Sequence, residues 1–596
     1  MLDILIIFGF IVYSIANGFR NKSKASQNLQ EYFLAGRGIS GWRAGFSMAA
    51  TQFAADTPLL VTGLIATGGI FMVWRLWIYG IAFLMMGFIF AANWRRAGVL
   101  TDAELTEVRY SGKGVLFLRV LKAVYYGTVI NCVVMAMVLV AAMRIAEVFL
   151  PWHEWLPAGI YNFFLGITHG LGLSLGESVT GLDPALITTN NLISILVIVS
   201  FTALYSTTGG LRSVIATDVM QFSLAMIGTL VYAAIVIYQV GGLGGLTDRL
   251  VELYGIARTS DMLSFVPTGP ELVLPFLVII GLQWLFQMYS DGTGYLAQRT
   301  MSCTTDREAR LAALIFTWLQ ILLRSLFWLI IGVGLLVIYP FDSSAGGGEL
   351  FAASREITFV HGVNDLLPPG IRGLMLTGLL AALASTVDTH LNWGASYWSN
   401  DIYQRLICHR WLNRKPKNRE LVLVARLSNL FILIIALTIM ANLGSIQTAW
   451  FISLLFGAGM GSVLVLRWLW ERINLFSELA AMATSLIVAP ILLVATDQEW
   501  LRLAGMAGAS TFVTILVTYL TPPTNEEILK LSLFLLLIGI GKFMIPSPGQ
   551  WAWLPALYTF AGLALVPLWW GKALESEKIV AEDLQEEQVK TTVSGG

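Results

Sequence analysis

The chain has 596 residues, of which 56% are hydrophobic and only 12% are charged, and its formal net charge is zero. Soluble domains carry about 25% charged residues, so this composition excludes an ordinary soluble protein. A neutral chain also gives no electrostatic reason to expect a nucleic-acid partner. Long apolar runs follow one another along most of the chain, which predicts an all-α polytopic protein in the lipid bilayer.

Fifteen apolar stretches are candidate membrane spans, since a helix needs about 20 residues to cross a bilayer. The first has no basic stretch before it and no small-residue cleavage site after it, so we expect a retained helix rather than a signal peptide. An additional interfacial or re-entrant helix is predicted at 157–173. The spans are 3–19, 41–70, 74–94, 115–149, 188–208, 215–239, 271–290, 308–339, 369–403, 421–442, 446–469, 473–496, 504–520, 528–545 and 552–571.

Basic residues cluster in alternate loops of this pattern. Arg and Lys are frequent at 20–37, 95–113, 299–310 and 405–419, and they are scarce in the loops between. Because loops rich in Arg and Lys stay on the cytoplasmic side, the N-terminus is predicted to lie outside and the C-terminus inside. The polar stretch 573–596 is predicted to be a cytoplasmic tail. The expected location is the plasma (cell inner) membrane, as a multi-pass protein.

Two predicted spans contain helix breakers. Asp56-Thr57-Pro58 lies in the middle of 46–69, and Ser290-Asp-Gly-Thr-Gly294 lies within 281–298. The carbonyls that such breaks free can hold ions only where protein or a cavity shields them from lipid. The breaks stand five spans apart, and paired interruptions in two halves of a chain indicate the binding site of a transporter. Bends that only relieve packing are the alternative.

The run 381–390 interrupts another span with polar atoms. Several of its residues share one helix face, because positions three and four apart are neighbours. That face combines small residues with hydroxyl oxygens, which suit close helix packing and a hard monovalent cation. The alternative is that the hydroxyls bond to carbonyls four residues earlier. Asp388 favours a functional role, since a carboxylate at mid-membrane depth is costly. The shared face consists of Ala382, Ser385, Thr386 and Thr389.

Four sets of motifs resemble the sodium/solute symporter family. They are Glu31–Gly38, Tyr205–Gln221, Gln298-Arg299 with Asp306–Ala309, and Ser385-Thr386 with Asn400–Arg405. The resemblance extends from about residue 3 to about residue 470. It implies a LeuT-type fold of two inverted five-helix repeats at 41–471, with one transmembrane helix and a loop before them at 1–40. About four further helices at 472–572, which carry no motif of that family, and the tail at 573–596 complete the expected domains.

The same resemblance implies sodium-coupled uptake of a small solute by alternating access, with Na⁺ as coupling ion and no organic cofactor. The implied sodium ligands are the carbonyls of Ala50, Phe53 and Ala382 and the hydroxyls of Ser385 and Thr386. Some members hold a second sodium, and the matching positions are Asp218, Asp388 and Thr389. Asp388 replaces a small hydroxyl residue there. A second cation, a proton, or an ion pair with Arg212 or His390 therefore stays open.

The solute site implied by the resemblance lies between the two broken helices. Its candidates are Asp56, Thr57, Trp74, Arg75, Gln283, Trp284, Gln287, Tyr289, Asp291, Gln320 and Arg324. A structural Asp56–Arg75 ion pair is one interpretation, and a zwitterion or polyhydroxylated acid bound by both charges is the other. The family's galactose and proline site residues are not reproduced. The solute class therefore stays open among sugars, sugar acids, amino acids and carboxylates.

Two alternative functions remain at this point. A proton-coupled solute transporter would use Asp388 or Asp218 in place of a sodium site. A membrane-embedded enzyme would need an acid/base or metal cluster, but the five histidines show no ligand spacing and there is no glycine-rich phosphate loop. The sequence does not set the oligomeric state, and a monomer is compatible with it.

Overall fold

A computed structural model describes residues 2–112, 114–175, 183–342, 348–441, 443 and 445–521, except for the side chains of residue 4 and residues 201–208. Within these residues the regular structure is helical, and Ile39 and Cys303 form an isolated β-bridge. The predicted spans 528–545 and 552–571 and the tail 573–596 lie outside the described residues.

The long helices follow the predicted spans. The first seven are α1 (Leu2–Ala25), α2 (Gly41–Phe53), α3 (Asp56–Gly68), α4 (Ile70–Arg96), α5 (Val115–Phe149), α6 (184–209) and α7 (211–239), and the last two of these are the halves of Pro184–Gln239. The other eight are α8 (Pro270–Leu282), α9 (Tyr295–Met301), α10 (Asp306–Ile338), α11 (Ile371–Trp411), α12 (Asn418–Met440), α13 (Ile446–Leu469), α14 (Leu475–Ala495) and α15 (Glu499–Leu520). Shorter helices are Leu29–Leu34, Ala158–Gly170, Gly242–Leu263, Glu349–Glu356 and Thr358–Leu366. Nine helices of the described part are long and apolar enough to cross a membrane.

Both predicted breaks are confirmed. The first separates α2 from α3 at Ala54, whose φ of 25° and ψ of 144° are not helical. It lies just before Asp56 rather than at the proline, since Pro58 occupies the first turn of α3, where a missing N–H costs no helical bond. The second break is longer and runs from Leu282 to Tyr295.

The broken helices occupy equivalent places in the chain. The pair α2–α3 begins a group of five spans that ends with α7, and the pair α8–α9 begins a second group of five that ends with α13. The run α6–α7 packs against α11, α1 and α2, and α2 also packs against α10. Small residues allow this close approach, because a Cβ on Gly378 of α11 would lie 2.8 Å from Ala225 Cα of α7.

Three local features refine the sequence prediction. The spans 188–208 and 215–239 are joined without a loop, because the helix is interrupted at a single residue, Gly210, with φ of 59°. The additional helix expected at 157–173 is present as Ala158–Gly170. Arg299, counted above among basic loop residues, is instead completely buried in α9. Arg307 and Arg310 therefore carry the basic character of that loop.

Candidate functional site

A central cavity of about 120 Å³ lies between the two helix breaks. Its wall is formed by the residues around the first break, by residues 287–289 and Tyr295 at the second break, and by side chains of α4, α5, α10, α11 and α13. Each break exposes the end of a half-helix to this space, where backbone groups that lack helical partners are shielded from lipid. The fold therefore places polar backbone and side-chain groups around this cavity.

Six of the eleven predicted solute residues line this cavity, and five lie elsewhere. The six are Asp56, Thr57, Gln287, Tyr289, Gln320 and Arg324. The sequence reasoning missed other polar residues of the wall, namely Thr51, Gln52, Tyr79, Tyr295, His390 and Ser453. Gln52 is in the last turn before the first break, so its position next to the break was a signal available in the sequence.

Arg75 pairs with a residue outside the cavity. Its guanidinium forms an ion pair with Glu499 at the start of α15 and lies 5.0 Å from the centre of the Phe451 ring. The suggested Asp56–Arg75 pair is therefore not the arrangement found. Gln283 does not line the cavity; its amide donates to the backbone carbonyl of Arg75 and to the hydroxyl of Tyr79, a residue of the wall, each over 2.9 Å.

Two tryptophans among the predicted solute residues also lie off the cavity wall. Trp74 donates from Nε1 to the carbonyl of Phe265 over 2.9 Å. The carbonyl of Trp284 accepts a bond of 3.2 Å from the side chain of Gln287, which does line the cavity. Trp74 thus anchors a surface segment, and Trp284 positions a neighbour through its backbone.

Asp291 belongs to a buried ion cluster. Arg467 Nη2 lies 2.6 Å from Asp291 Oδ2, Arg467 Nη1 lies 3.1 Å from Glu478 Oε1, and Lys122 Nζ lies 2.8 Å from the same Glu478 oxygen. All four side chains are at most 1% exposed. The two positive and two negative charges balance, which such burial requires. The cluster joins the second break to α13, α14 and α5.

The predicted sodium ligands lie at the end of α2 and on α11, and these two helices contact each other. Thr386 Oγ1 donates to the carbonyl of Thr51 over 3.1 Å and also lies 2.9 Å from the carbonyl of Ala382 in its own helix. Ala50 and Phe53 are in the last turn of α2, where carbonyls lack helical donors. All five predicted residues are buried. The donor set consists of neutral oxygens, which suits a hard monovalent cation.

Ser385 has a second role at this contact. Its hydroxyl bonds to one carboxylate oxygen of Asp218 on α7, and the other oxygen accepts a bond from Ser47 on α2. Asp218 is completely buried. This carboxylate therefore ties together the three helices that surround the predicted sodium ligands.

A guanidinium lies among the residues predicted for a second cation. Arg299 donates from Nη2 to Thr389 Oγ1 over 2.7 Å, and the same nitrogen is 3.9 Å from Asp218 Oδ2. Asp388 lies close enough to interact electrostatically with Arg299 and with Tyr32. The structure thus places the guanidinium of Arg299 next to Thr389 and Asp218, two of the three predicted ligands. In the sequence, Arg299 stood out only as part of a family motif.

The other two side chains considered for Asp388 have their own neighbours. Arg212 lies 3.2 Å from a carboxylate oxygen of Glu31, and His390 Nδ1 is 2.5 Å from the side-chain oxygen of Asn131. His390 also lines the central cavity.

Two five-span groups, each beginning with a broken helix and enclosing a central cavity, define the LeuT-type architecture of secondary transporters. The model of the sodium:solute symporter family matches residues 32–153 and 184–487, which is more than half of the chain. The chain therefore belongs to the sodium:solute symporter family, a family of transporters rather than enzymes.

Individual relatives have low sequence identity to this chain, but the similarity extends over about three quarters of it. Sodium/glucose cotransporter 1 of Oryctolagus cuniculus is 24% identical over 478 residues, which cover 74% of this chain and 64% of that protein. The sodium/glucose cotransporter of Vibrio parahaemolyticus is 24% identical over 460 residues, covering 75% of this chain and 76% of that protein.

A solved structure shares the fold. It is that of a Na⁺-coupled sialic acid symporter in a substrate-bound outward-open state, with a TM-score of 0.66 and 17% sequence identity. The similarity covers 88% of this chain and 98% of the symporter chain. At this identity the comparison establishes the LeuT-type fold alone.

Proposed function

We propose that this protein is a sodium-coupled symporter that imports a small polar organic solute by alternating access, with residues 41–471 as its transport core. One observation carries the proposal. Thr386 lines the central cavity and also connects α11 to a carbonyl at the end of α2, beside the predicted sodium ligands. An ion bound there and a solute in the cavity would share a wall, which provides the reciprocal coupling that symport requires.

Sodium would enter from outside, driven by its gradient and by a membrane potential worth about 2.3 kcal/mol per charge per 100 mV. It would take the carbonyls of Ala50, Phe53 and Ala382 together with the hydroxyls of Ser385 and Thr386. The hydroxyl oxygen of Thr386 would then face the ion while its O–H continues to donate to the carbonyl of Thr51. The ion thus holds α2 against α11 and shapes the cavity for the solute.

The same proposal places the N-terminus outside and the C-terminus in the cytoplasm of a plasma-membrane protein. The contacts of the basic loops support it. Arg37 donates to the carbonyl of Gly98 over 2.6 Å, and Arg95 lies 3.1 Å from Asp306, so three basic loops converge at one end of the helices. Such a concentration of basic residues is typical of the cytoplasmic side.

A second cation at Asp218, Asp388 and Thr389 would compete with the guanidinium of Arg299. We propose that a second ion binds only when Arg299 leaves Thr389, to which it donates a bond of 2.7 Å. The sodium dependence of uptake tests whether a second ion takes part. A Hill coefficient near 1 indicates the α2–α11 site alone, and a value clearly above 1 indicates that both sites are used.

The test of sodium coupling is the double substitution Ser385→Ala and Thr386→Ala. We expect sodium-driven uptake into proteoliposomes to be lost, together with the thermal stabilisation that sodium gives over lithium, potassium and choline. The matched control is Thr377→Ala with Ser396→Ala. These hydroxyls are buried in the same helix, and among the described residues they bond only to carbonyls of that helix, over 2.7 and 2.6 Å, so sodium dependence should persist.

Normal sodium-driven uptake in the first double variant would contradict the ligand assignment. Stability that depends on pH but not on sodium would instead favour coupling to protons through Asp218 or Asp388.

A further inference from the structure

Two buried, oppositely charged side chains line the central cavity without an ion-pair partner. Asp56 and Arg324 are 6% and 2% exposed. In the described part of the chain, no side chain of opposite charge lies within 4 Å of either one. We infer that the cavity binds a small zwitterion, with its ammonium group on Asp56 and its carboxylate on Arg324. This inference names the solute of the function proposed above and rests on it.

The carboxylate of Asp56 has an oxygen atom that is available to accept a hydrogen bond from a solute. Its Oδ1 is buried and accepts no hydrogen bond from the residues that the structure describes. Asp56 is also the first residue of α3, where the positive end of the helix dipole stabilises a carboxylate. Because its negative charge already occupies this half-helix end, the anionic group of a solute is repelled from it and a cationic group is attracted.

Arg324 is held in place with donors to spare. Its Nε and Nη1 donate to the carbonyls of Gln320 and Gln52, and its guanidinium lies 4.6 Å from the centre of the Trp328 ring. Its Nη2 has no hydrogen bond to a described residue. A planar guanidinium fixed in this way presents its remaining N–H groups to a carboxylate.

The charge balance of the cavity discriminates between solute classes. Asp56 and Arg324 lie close enough to attract each other, but in the described part of the chain no ion-pair contact within 4 Å is made by either one. A neutral sugar would therefore leave both without a direct counter-charge, and a simple acid or amine would leave one of them so. Burial of an uncompensated charge is costly, whereas a zwitterion compensates both. The buried side-chain oxygen of Gln320, which accepts no bond from a described residue, offers a further acceptor for an ammonium N–H.

The size and the remaining walls of the cavity restrict the zwitterion further. The volume of about 120 Å³ is well below the roughly 300–1,000 Å³ of pockets that hold drug-sized ligands. Leu60, Val134 and Val138 provide apolar surface between the polar groups. These dimensions suit an amino acid or betaine with a compact aliphatic body.

The test measures binding to the purified full-length protein by thermal stabilisation and titration calorimetry in sodium chloride. The panel contains the small aliphatic amino acids, proline and glycine betaine. Each zwitterion that binds is compared with its methyl ester, which keeps only the cation, with its deaminated acid, which keeps only the anion, and with a neutral sugar. We expect at least one zwitterion to bind. Each analogue that lacks one of the two charges should bind at least about 100-fold more weakly than that zwitterion.

Variants assign the two ends of the solute. Asp56→Asn should remove the difference between the zwitterion and its deaminated acid, and Arg324→Gln should remove the difference between the zwitterion and its ester. Arg324→Lys should restore part of the difference between the zwitterion and its ester. The control is Arg75→Gln with Glu499→Gln, a neutralised ion pair outside the cavity, which should keep both differences.

Sodium binding is read separately, as stabilisation by sodium without solute. If no zwitterion of the panel binds, or if a neutral sugar or a singly charged analogue binds as tightly, the zwitterion assignment is overturned even when sodium stabilises the protein. If a zwitterion binds with the expected charge dependence but sodium has no effect, the assignment stands and the sodium coupling fails.

Discussion

The substitution Asp291→Asn separates a structural role of this carboxylate from a role in solute binding. Asp291 lies in the buried cluster with Arg467, Glu478 and Lys122, whose side chains are at most 1% exposed. The substitution removes one of two negative charges and weakens two contacts of the Arg467 guanidinium, of 2.6 and 3.2 Å. Breaking a buried ion pair from one side costs about 3–5 kcal/mol, which is the expected loss of unfolding free energy.

The assay is equilibrium unfolding in mixed micelles, combined with solute binding by calorimetry. Because Asp291 does not line the central cavity, the dissociation constant of the solute should change by less than about twofold. Adding Arg467→Gln to Asp291→Asn leaves Glu478 paired with Lys122 over 2.8 Å. The double variant should therefore be more stable than the sum of the single effects predicts, by about 0.5–3 kcal/mol.

One result would refute this reasoning. If Asp291→Asn changes the unfolding free energy by less than about 1 kcal/mol and weakens solute binding tenfold, a loss of about 1.4 kcal/mol, then the carboxylate addresses the solute.

Two further substitutions test the second break and the start of α13. Gly294→Ala should destabilise the protein by more than about 1 kcal/mol, because Gly294 has φ of +80° and a Cβ would lie 2.9 Å from the Trp393 ring. The control is Gly281→Ala, at an uncrowded position in α8, which should change the unfolding free energy by no more than about 1 kcal/mol. The carboxylate of Glu356 accepts a 3.0 Å bond from the backbone N–H of Gln447, and burial raises the pKa of Glu356 from 4.5 to about 7. Since the folded state then binds the extra proton, stability should fall by roughly 3 kcal/mol as the pH rises from 4.5 to 7, and unfolding of Glu356→Gln at both pH values should show no such fall. An equal loss in both glycine variants, or the same pH dependence in Glu356→Gln, would contradict these assignments.

Much of the fold could be predicted because lipid forces each span to satisfy its own backbone. Apolar length, helix breakers and basic loops are local signals, so the spans from 3–19 to 504–520 and the two breaks were readable without tertiary information. The break before Asp56 was displaced by two residues, because a proline in the first turn of a helix does not interrupt it.

The solute residues were less predictable, because a residue beside a break faces either the cavity or a neighbouring helix. Asp56 and Asp291 are equivalent on paper, as each is a carboxylate at a helix break. Asp56 lines the cavity, whereas Asp291 pairs with Arg467, which lies 176 positions further along the chain. Only the packing of α13 and α14 against the second break distinguishes them.

The sequence by itself determined the class of the protein, the presence of both helix breaks and the run of hydroxyls on α11, since each depends on residues close together in the chain. Tertiary structure alone decided which charged side chains pair with each other and which line the cavity. It paired Arg75 with Glu499, buried Arg299 beside Thr389, and left Asp56 and Arg324 at one cavity. The physical reason is that a buried charge is governed by its nearest counter-charge, and in this protein that neighbour comes from a distant helix.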